Sequence, residues 1–205
     1  MLLDPKIPVR FPPPGQEGVA EEARAAYLLK VPTLPEETQL HRAVAAAGGR
    51  QHGLLRRLAA IRAGVRAVFP DGDDGGLLAR IEDHEAALRE FHEVGTGGDQ
   101  QELKALIERI AEGGETAEEA ERLLLEAGHG PLARIAGDMA VYPEILGREA
   151  ARLFVMGWEN IPGECRRGKF GLEEESLRRI PALHRLLIGQ EIERLLRPPD
   201  TLVKN

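Results

Sequence analysis

Apolar side chains recur at helical spacing along most of this chain, and clusters of glycine and proline separate the segments in which they do so. The clearest segment is 54–69, where apolar residues follow a period of about 3.6 residues. Its stripe consists of Leu54, Leu55, Leu58, Ile61, Val65 and Val68. A helix with such a stripe must bury one face against a neighbour. The sequence therefore predicts a mainly α fold built from amphipathic helices.

The first helix has a clear beginning. Thr33 is placed as an N-cap, Pro35 falls in the first turn, and Glu36 and Glu37 suit the positive end of the helix dipole. We expect this helix to reach about Ala47. Five further helical segments are predicted at 77–94, 103–111, 116–127, 132–156 with an interruption at Tyr142-Pro143, and 173–196. The glycine pair 113–114 is expected to end one of them, and Thr116 with Glu119 matches a capping box that would begin the next.

The N-terminal region has a different pattern. Residues 6–11 alternate apolar and polar side chains up to a run of prolines, and 26–31 is a second extended candidate. The two segments predict a small β-ribbon, which is marginally stable unless it packs on helices. We therefore divide the chain into an N-terminal extended segment 1–32, a helical domain 33–197 and a tail 198–205.

Composition limits the classes of function. The formal charge of −7 argues against a general nucleic-acid binder, which needs clustered Lys and Arg. A single cysteine cannot form an intramolecular disulfide, which favours a reducing compartment. We expect no secretory signal, because the N-terminus lacks a basic region followed by an apolar run. We also expect no membrane-spanning segment, because no stretch approaches about 18 consecutive apolar residues. These features predict a cytoplasmic protein with no nucleic-acid or membrane partner.

Several stretches resemble chemical sites in composition only. His84 and His92 lie twice as far apart as the histidines of a helical zinc pair, and we expect both at surface or boundary positions. The alternative is a small metal-dependent hydrolase that uses Glu82, His84 and His92. Cys165 lies beside Arg166 and Arg167, which would favour a thiolate, but no nucleophile motif precedes it and an exposed incidental thiol is expected. Three other stretches are interpreted as a solvated turn, a helix C-cap and an acidic helix start, namely 71–76, 95–98 and 173–175. No cofactor or metal is expected.

The only tryptophan, Trp158, lies in a polar stretch between two helical segments, with Phe154 before it and Phe170 after it. In a chain with only 4% aromatic residues, two interpretations remain open. Trp158 either packs the two C-terminal helices together or recognises a partner, since large aromatic side chains serve in both cores and interfaces.

The run from about 148 to 196 resembles the tail assembly chaperones of long-tailed bacteriophages and of related prophage and gene-transfer particles. The matching elements are Phe154-Val-Met-Gly-Trp158, the aromatic and acidic start Phe170-Gly-Leu-Glu-Glu-Glu, the step Ile180-Pro181 and the closing helix Leu187–Ile192. The segment 27–34 is also similar to the extended N-terminal segment of such proteins.

This resemblance implies a non-enzymatic protein of the host cytoplasm that covers the apolar tape measure protein until the tail tube assembles around it. Phe154, Trp158 and Phe170 are then the candidate partner-binding residues. The alternative is a structural tail or connector protein that is retained in the virion. A transcription regulator is disfavoured, because no helix-turn-helix with a basic recognition helix is visible.

Overall fold

The computed structural model describes residues 7–72, 74–94 and 99–197. Outside these ranges lie the predicted tail 198–205, the predicted cap 95–98, residue 6 of the predicted strand and residue 73 of the predicted turn. The described part is mainly α, as predicted, with a small antiparallel sheet. Its helices are α1 Leu34–Ala46, α2 Leu54–Val68, α3 Leu77–Val94, α4 Gln100–Glu126, α5 Gly130–Phe154, α6 Glu174–Arg179 and α7 Ala182–Leu196. Within those ranges, no helix has both the length and the apolar composition that crossing a bilayer requires.

The chain forms two compact units. The first contains residues 1–50 and 140–205, and the second contains residues 51–139. This division differs from the single helical domain 33–197 of the sequence analysis, because the first unit combines the N-terminal segment with the C-terminal helices. Helix α5 contributes residues to both units.

The first unit holds a three-stranded antiparallel sheet in the order β1 (Val9–Phe11), β2 (Ala26–Leu29) and β3 (Val155–Glu159). The first two strands form the predicted ribbon. One sheet face packs inward, with Tyr27 and Leu29 fully buried. The other face carries an ion pair between Arg10 and Glu159, whose atoms Nε and Oε2 lie 2.8 Å apart across β2. The third strand supplies the packing that a two-stranded ribbon lacks.

Helices cover the inner sheet face and form the core of the first unit. Phe154, Leu177 and Ile188 are among its fully buried side chains. The beginning of α1 is confirmed: the Thr33 backbone N–H donates to Glu36 Oε2 at 3.1 Å, and its hydroxyl donates to the same oxygen at 2.8 Å. These bonds satisfy groups that would otherwise be left open at the helix start.

The second unit has its own core, in which α2, α3 and α4 bury Leu58, Ile81 and Leu124. The stripe predicted for α2 is correct for Leu58, Ile61 and Val65, while Leu54, Leu55 and Val68 are exposed. The predicted division of α4 at the glycine pair is wrong. A Cβ at Gly113 would overlap the His84 side chain, so this glycine permits close packing of α3 on α4 rather than ending a helix. Thr116 consequently lies inside α4, where its hydroxyl donates to the Glu112 carbonyl at 3.2 Å.

Three boundaries in the C-terminal half also differ from expectation. Helix α5 continues through Pro143, because burial of Leu146 and Ala150 beyond it offsets the missing backbone hydrogen bond. It ends at Phe154, and the next five residues form β3 instead of a helix end and loop. The predicted last helix is broken into α6 and α7, since the residue before Pro181 is driven to extended backbone, with ψ of 118° at Ile180.

Candidate functional site

A cleft of about 270 Å³ opens on the first unit between the start of α1, the beginning of β3 and a short β-hairpin. The hairpin consists of β4 (Arg167–Gly168) and β5 (Gly171–Leu172), joined by a turn at Lys169 and Phe170. We call this feature the Phe170 cleft. Its lining residues are Lys30, Glu36, Gln39, Leu153, Phe154, Met156, Arg167, Lys169, Phe170 and Gly171.

Gly171 seats the hairpin on the end of α5. Its φ of +109° is a left-handed conformation that glycine adopts without strain. A Cβ at this position would overlap the Arg152 carbonyl of α5. The backbone of β5 therefore lies directly against the helix end, and only glycine fits there. This contact fixes the turn that carries Phe170.

The Arg167 side chain ties the other hairpin strand to the same place. Its guanidinium donates to the Val155 carbonyl and, at 3.2 Å, to the Leu153 carbonyl. Burial lowers the pKa of this guanidinium, while the nearby Cys165 thiol acts in the opposite direction. The Glu173 backbone N–H also donates to the Arg166 carbonyl at 3.0 Å, which extends the pairing of β4 with the segment after β5. Both strands of the hairpin are thus held in place.

Two apolar side chains of the cleft are exposed. Phe170 at the tip of the hairpin turn is 78% exposed, and Met156 on β3 is 43% exposed. Met156 is the extra residue of a β-bulge, because Val155 pairs with Leu29 while Gly157 pairs with Leu28. The Lys169 Nζ atom lies 5.6 Å from the centroid of the Phe170 ring, within the range of a cation–π contact. The cleft therefore presents apolar area and positive charge together.

Lys30, which follows β2, forms an ion pair with Glu36 of α1 at the rim of the cleft. Burial tends to raise the pKa of Glu36, but the hydrogen bonds from Lys30 and Thr33 outweigh it and hold that pKa below its ordinary value. This carboxylate is charged at neutral pH and is already bound by Lys30 and Thr33.

The three predicted partner-binding residues have different environments. Phe154 is 1% exposed and belongs to the core, although it contributes to the inner wall of the cleft. Phe170 is the exposed residue at the mouth. Trp158 does not line the cleft. It lies in β3, paired with Tyr27 of β2, and its side chain is half-buried against the core. Its Nε1–H donates to the Gly163 carbonyl at 2.9 Å. The structure brings Phe154 and Phe170 together and places Trp158 elsewhere.

Sequence reasoning missed Met156, Lys169 and Arg167 as members of the cleft. The exposure of Met156 depends on long-range pairing of β3 with β2, for which no local signal exists. Lys169 was recognisable, since it adjoins Phe170 immediately before a glycine, as in a two-residue hairpin turn. Arg167 was considered only as a neighbour of Cys165.

The other candidate residues are placed apart from the cleft. His92 is exposed, but the expectation of a surface or boundary position is wrong for His84, which is buried with its Nδ1 unpartnered against Gly113. Burial lowers the pKa of His84, and the charge of Asp83 opposes this effect. Among the described residues, no group of three or more His, Cys, Asp or Glu side chains is arranged to hold a metal ion.

Cys165 is partly buried rather than exposed, which corrects the sequence expectation. Burial raises the pKa of its thiol, and the charge of Arg167 counteracts this only in part. The acidic run 173–175 begins α6, as predicted, with Glu173 as its N-cap residue.

Comparison with known proteins adds no assignment: the chain matches no protein-family model, no curated protein and no solved structure.

Proposed function

We propose that this protein is a non-enzymatic morphogenesis protein of a phage or prophage tail, and that it binds the tape measure protein in the host cytoplasm before the tail tube assembles. The Phe170 cleft is the proposed docking site. The observation that supports it most strongly is the 78% exposure of Phe170 on a hairpin held by Gly171 and Arg167. The resemblance of the segments around this cleft to tail assembly chaperones supports the choice of partner.

The chemistry of binding an apolar segment requires no catalytic group. Exposed aromatic side chains on a backbone that is already ordered supply contact area without the entropy cost of ordering a loop on binding. Aromatic residues are also enriched among the residues that dominate binding energy. Phe170 and Met156 can therefore cover apolar side chains of a partner segment that would otherwise aggregate.

The first prediction concerns Phe170. We expect Phe170→Ser to reduce co-purification of a co-expressed tape measure protein by about tenfold or more, the loss of one interface aromatic. The matched control is Leu183→Ser, since Leu183 is 62% exposed in the same unit but does not line the cleft. Both variants should keep the far-ultraviolet circular dichroism of the wild type.

Equal losses in the two variants, or no loss in either, would contradict the proposal. Mass spectrometry of purified particles separates the chaperone from a structural tail or connector protein. A chaperone is absent from finished particles, whereas the alternative requires the protein to be present there in a fixed ratio to other tail proteins.

A further inference from the structure

The Phe170 cleft differs in charge from the rest of the protein. The whole chain carries a formal charge of −7, but the cleft is lined by three cations and a single carboxylate. That carboxylate, Glu36, is bound by Lys30 and Thr33 and does not neutralise the other two cations. The cleft is therefore a positive site on an acidic protein.

Arg167 and Lys169 stand out among the basic residues of this region. Arg166 and Arg179 each pair with a nearby glutamate, and Arg148, Arg152 and Arg178 all contact Glu174. Arg167 instead donates to two backbone carbonyls, and Lys169 lies over the Phe170 ring. Within the described residues, neither of these two cations has a carboxylate within salt-bridge distance. The exposed Lys169 ammonium is available to an anionic group from outside the chain, and Arg167 adds positive charge to the same cleft.

We propose, on the basis of the function proposed above, that the cleft selects a protein segment in which carboxylates flank an apolar side chain. The apolar side chain packs on Phe170 and Met156, and a flanking Asp or Glu meets Lys169 and the positive field of Arg167. Charge complementarity of this kind chiefly sets partner choice and association rate. A basic or neutral apolar segment gains only the hydrophobic part of the interaction.

A single-stranded nucleic acid is the competing ligand, because a base can stack on an exposed aromatic beside a cation. The protein surface argues against it. Phosphate backbones are bound by rows of cations, whereas here Arg167 has donors committed to carbonyls and the net charge of −7 repels a polyanion. A short acidic peptide segment carries far less charge and brings its own apolar contact.

The test uses the full-length protein and synthetic fluorescent peptides with leucines at helical spacing, flanked by glutamates in one version and by lysines in the other. We expect the glutamate peptide to bind more tightly, with an advantage that shrinks as salt is added. Lys169→Glu should weaken the glutamate peptide by about threefold to tenfold, as expected for reversal of one exposed charge, and should improve the lysine peptide. The matched control is Lys104→Glu, since Lys104 is an exposed lysine on α4.

Equal binding of the two peptides, or equal effects of Lys169→Glu and Lys104→Glu, overturns the inference. If binding of both peptides is equal but is lost in Phe170→Ser, the apolar docking site stands and only the charge selection fails. If neither peptide binds, the inference fails, and the proposed function is judged separately by co-purification of the tape measure protein. Tighter binding of oligothymidylate than of the glutamate peptide also overturns it, in favour of nucleic acid.

Discussion

At the residue scale, Trp158 and Phe170 show the two uses of an aromatic side chain within one stretch of sequence. Trp158 is half-buried in β3, and the only hydrogen-bond donor of its side chain, Nε1–H, donates to the Gly163 carbonyl. This bond closes the loop after the strand. Phe170 has most of its ring in solvent on a turn whose backbone is fixed. Stability should therefore depend on Trp158, and binding should depend on Phe170.

Substitutions at Trp158 test the stabilising half of this division. We expect Trp158→Ala to lower the free energy of unfolding by about 2–3 kcal/mol, somewhat less than for a fully buried large aromatic residue. Trp158→Phe keeps most of the packing and loses the indole donor, so a loss of about 1 kcal/mol is expected. Phe170→Ala serves as the exposed control and should change stability by less than about 0.5 kcal/mol. Chemical denaturation measures all three. A Trp158→Ala variant of wild-type stability would show that the ring is not a packing residue.

The sequence indicates Phe154, Trp158 and Phe170 as candidate partner-binding residues, but it does not predict their separate environments. Phe154, predicted as a partner-binding residue, ends α5 and is buried in the core. The exposure of Phe170 results from Gly171 lying against the Arg152 carbonyl. Gly171 and Arg152 lie far apart in the sequence, so no local periodicity predicts this contact.

At the element scale, correct expectations coincide with local signals. Helices α1, α2 and α3 begin and end within a residue or so of the predicted bounds, because each has an apolar period followed by a glycine or proline turn, and α1 also has a capping residue. The wrong expectations occur where tertiary packing decides. Strand β3 forms because β2 offers a pairing edge, and α4 continues because the small residue at 113 admits His84.

The glycine pair in α4 offers a direct test of the packing explanation. A Cβ at Gly113 would overlap His84, so Gly113→Ala should destabilise the second unit by about 1–2 kcal/mol through overpacking. At Gly114 a Cβ meets no atom within 4 Å. Gly114→Ala should therefore stabilise the protein by about 0.5–1 kcal/mol, the ordinary gain of alanine over glycine inside a helix.

Thermal or chemical denaturation of the two variants gives effects of opposite sign if this explanation is correct. Effects of the same sign and size would mean that the two glycines are equivalent, as expected for a pair that merely separates two helices. Because His84 is the neighbour concerned, the double variant with His84→Ala should recover part of the loss caused by Gly113→Ala.

At the scale of the whole molecule, the proposed binding surface lies entirely within the unit formed by residues 1–50 and 140–205. The two stretches on which the proposed function rests, 27–34 and 148–196, belong to this same unit. The cleft is lined by residues from both stretches, with Lys30 from the first and Arg167 and Phe170 from the second. This arrangement could not be derived from the sequence, because it depends on the pairing of β2 with β3.

Site-specific photo-cross-linking tests the proposal that Phe170 contacts the tape measure protein during assembly. A benzophenone amino acid replaces Phe170 in the full chain, in cells that carry the complete set of particle genes. A second protein carries it in place of Leu183, which is exposed in the same unit but does not line the cleft. We expect a cross-link to the tape measure protein from position 170 only, formed before tails are complete. A cross-link of equal yield from both positions, or none to any tail protein from position 170, would contradict it.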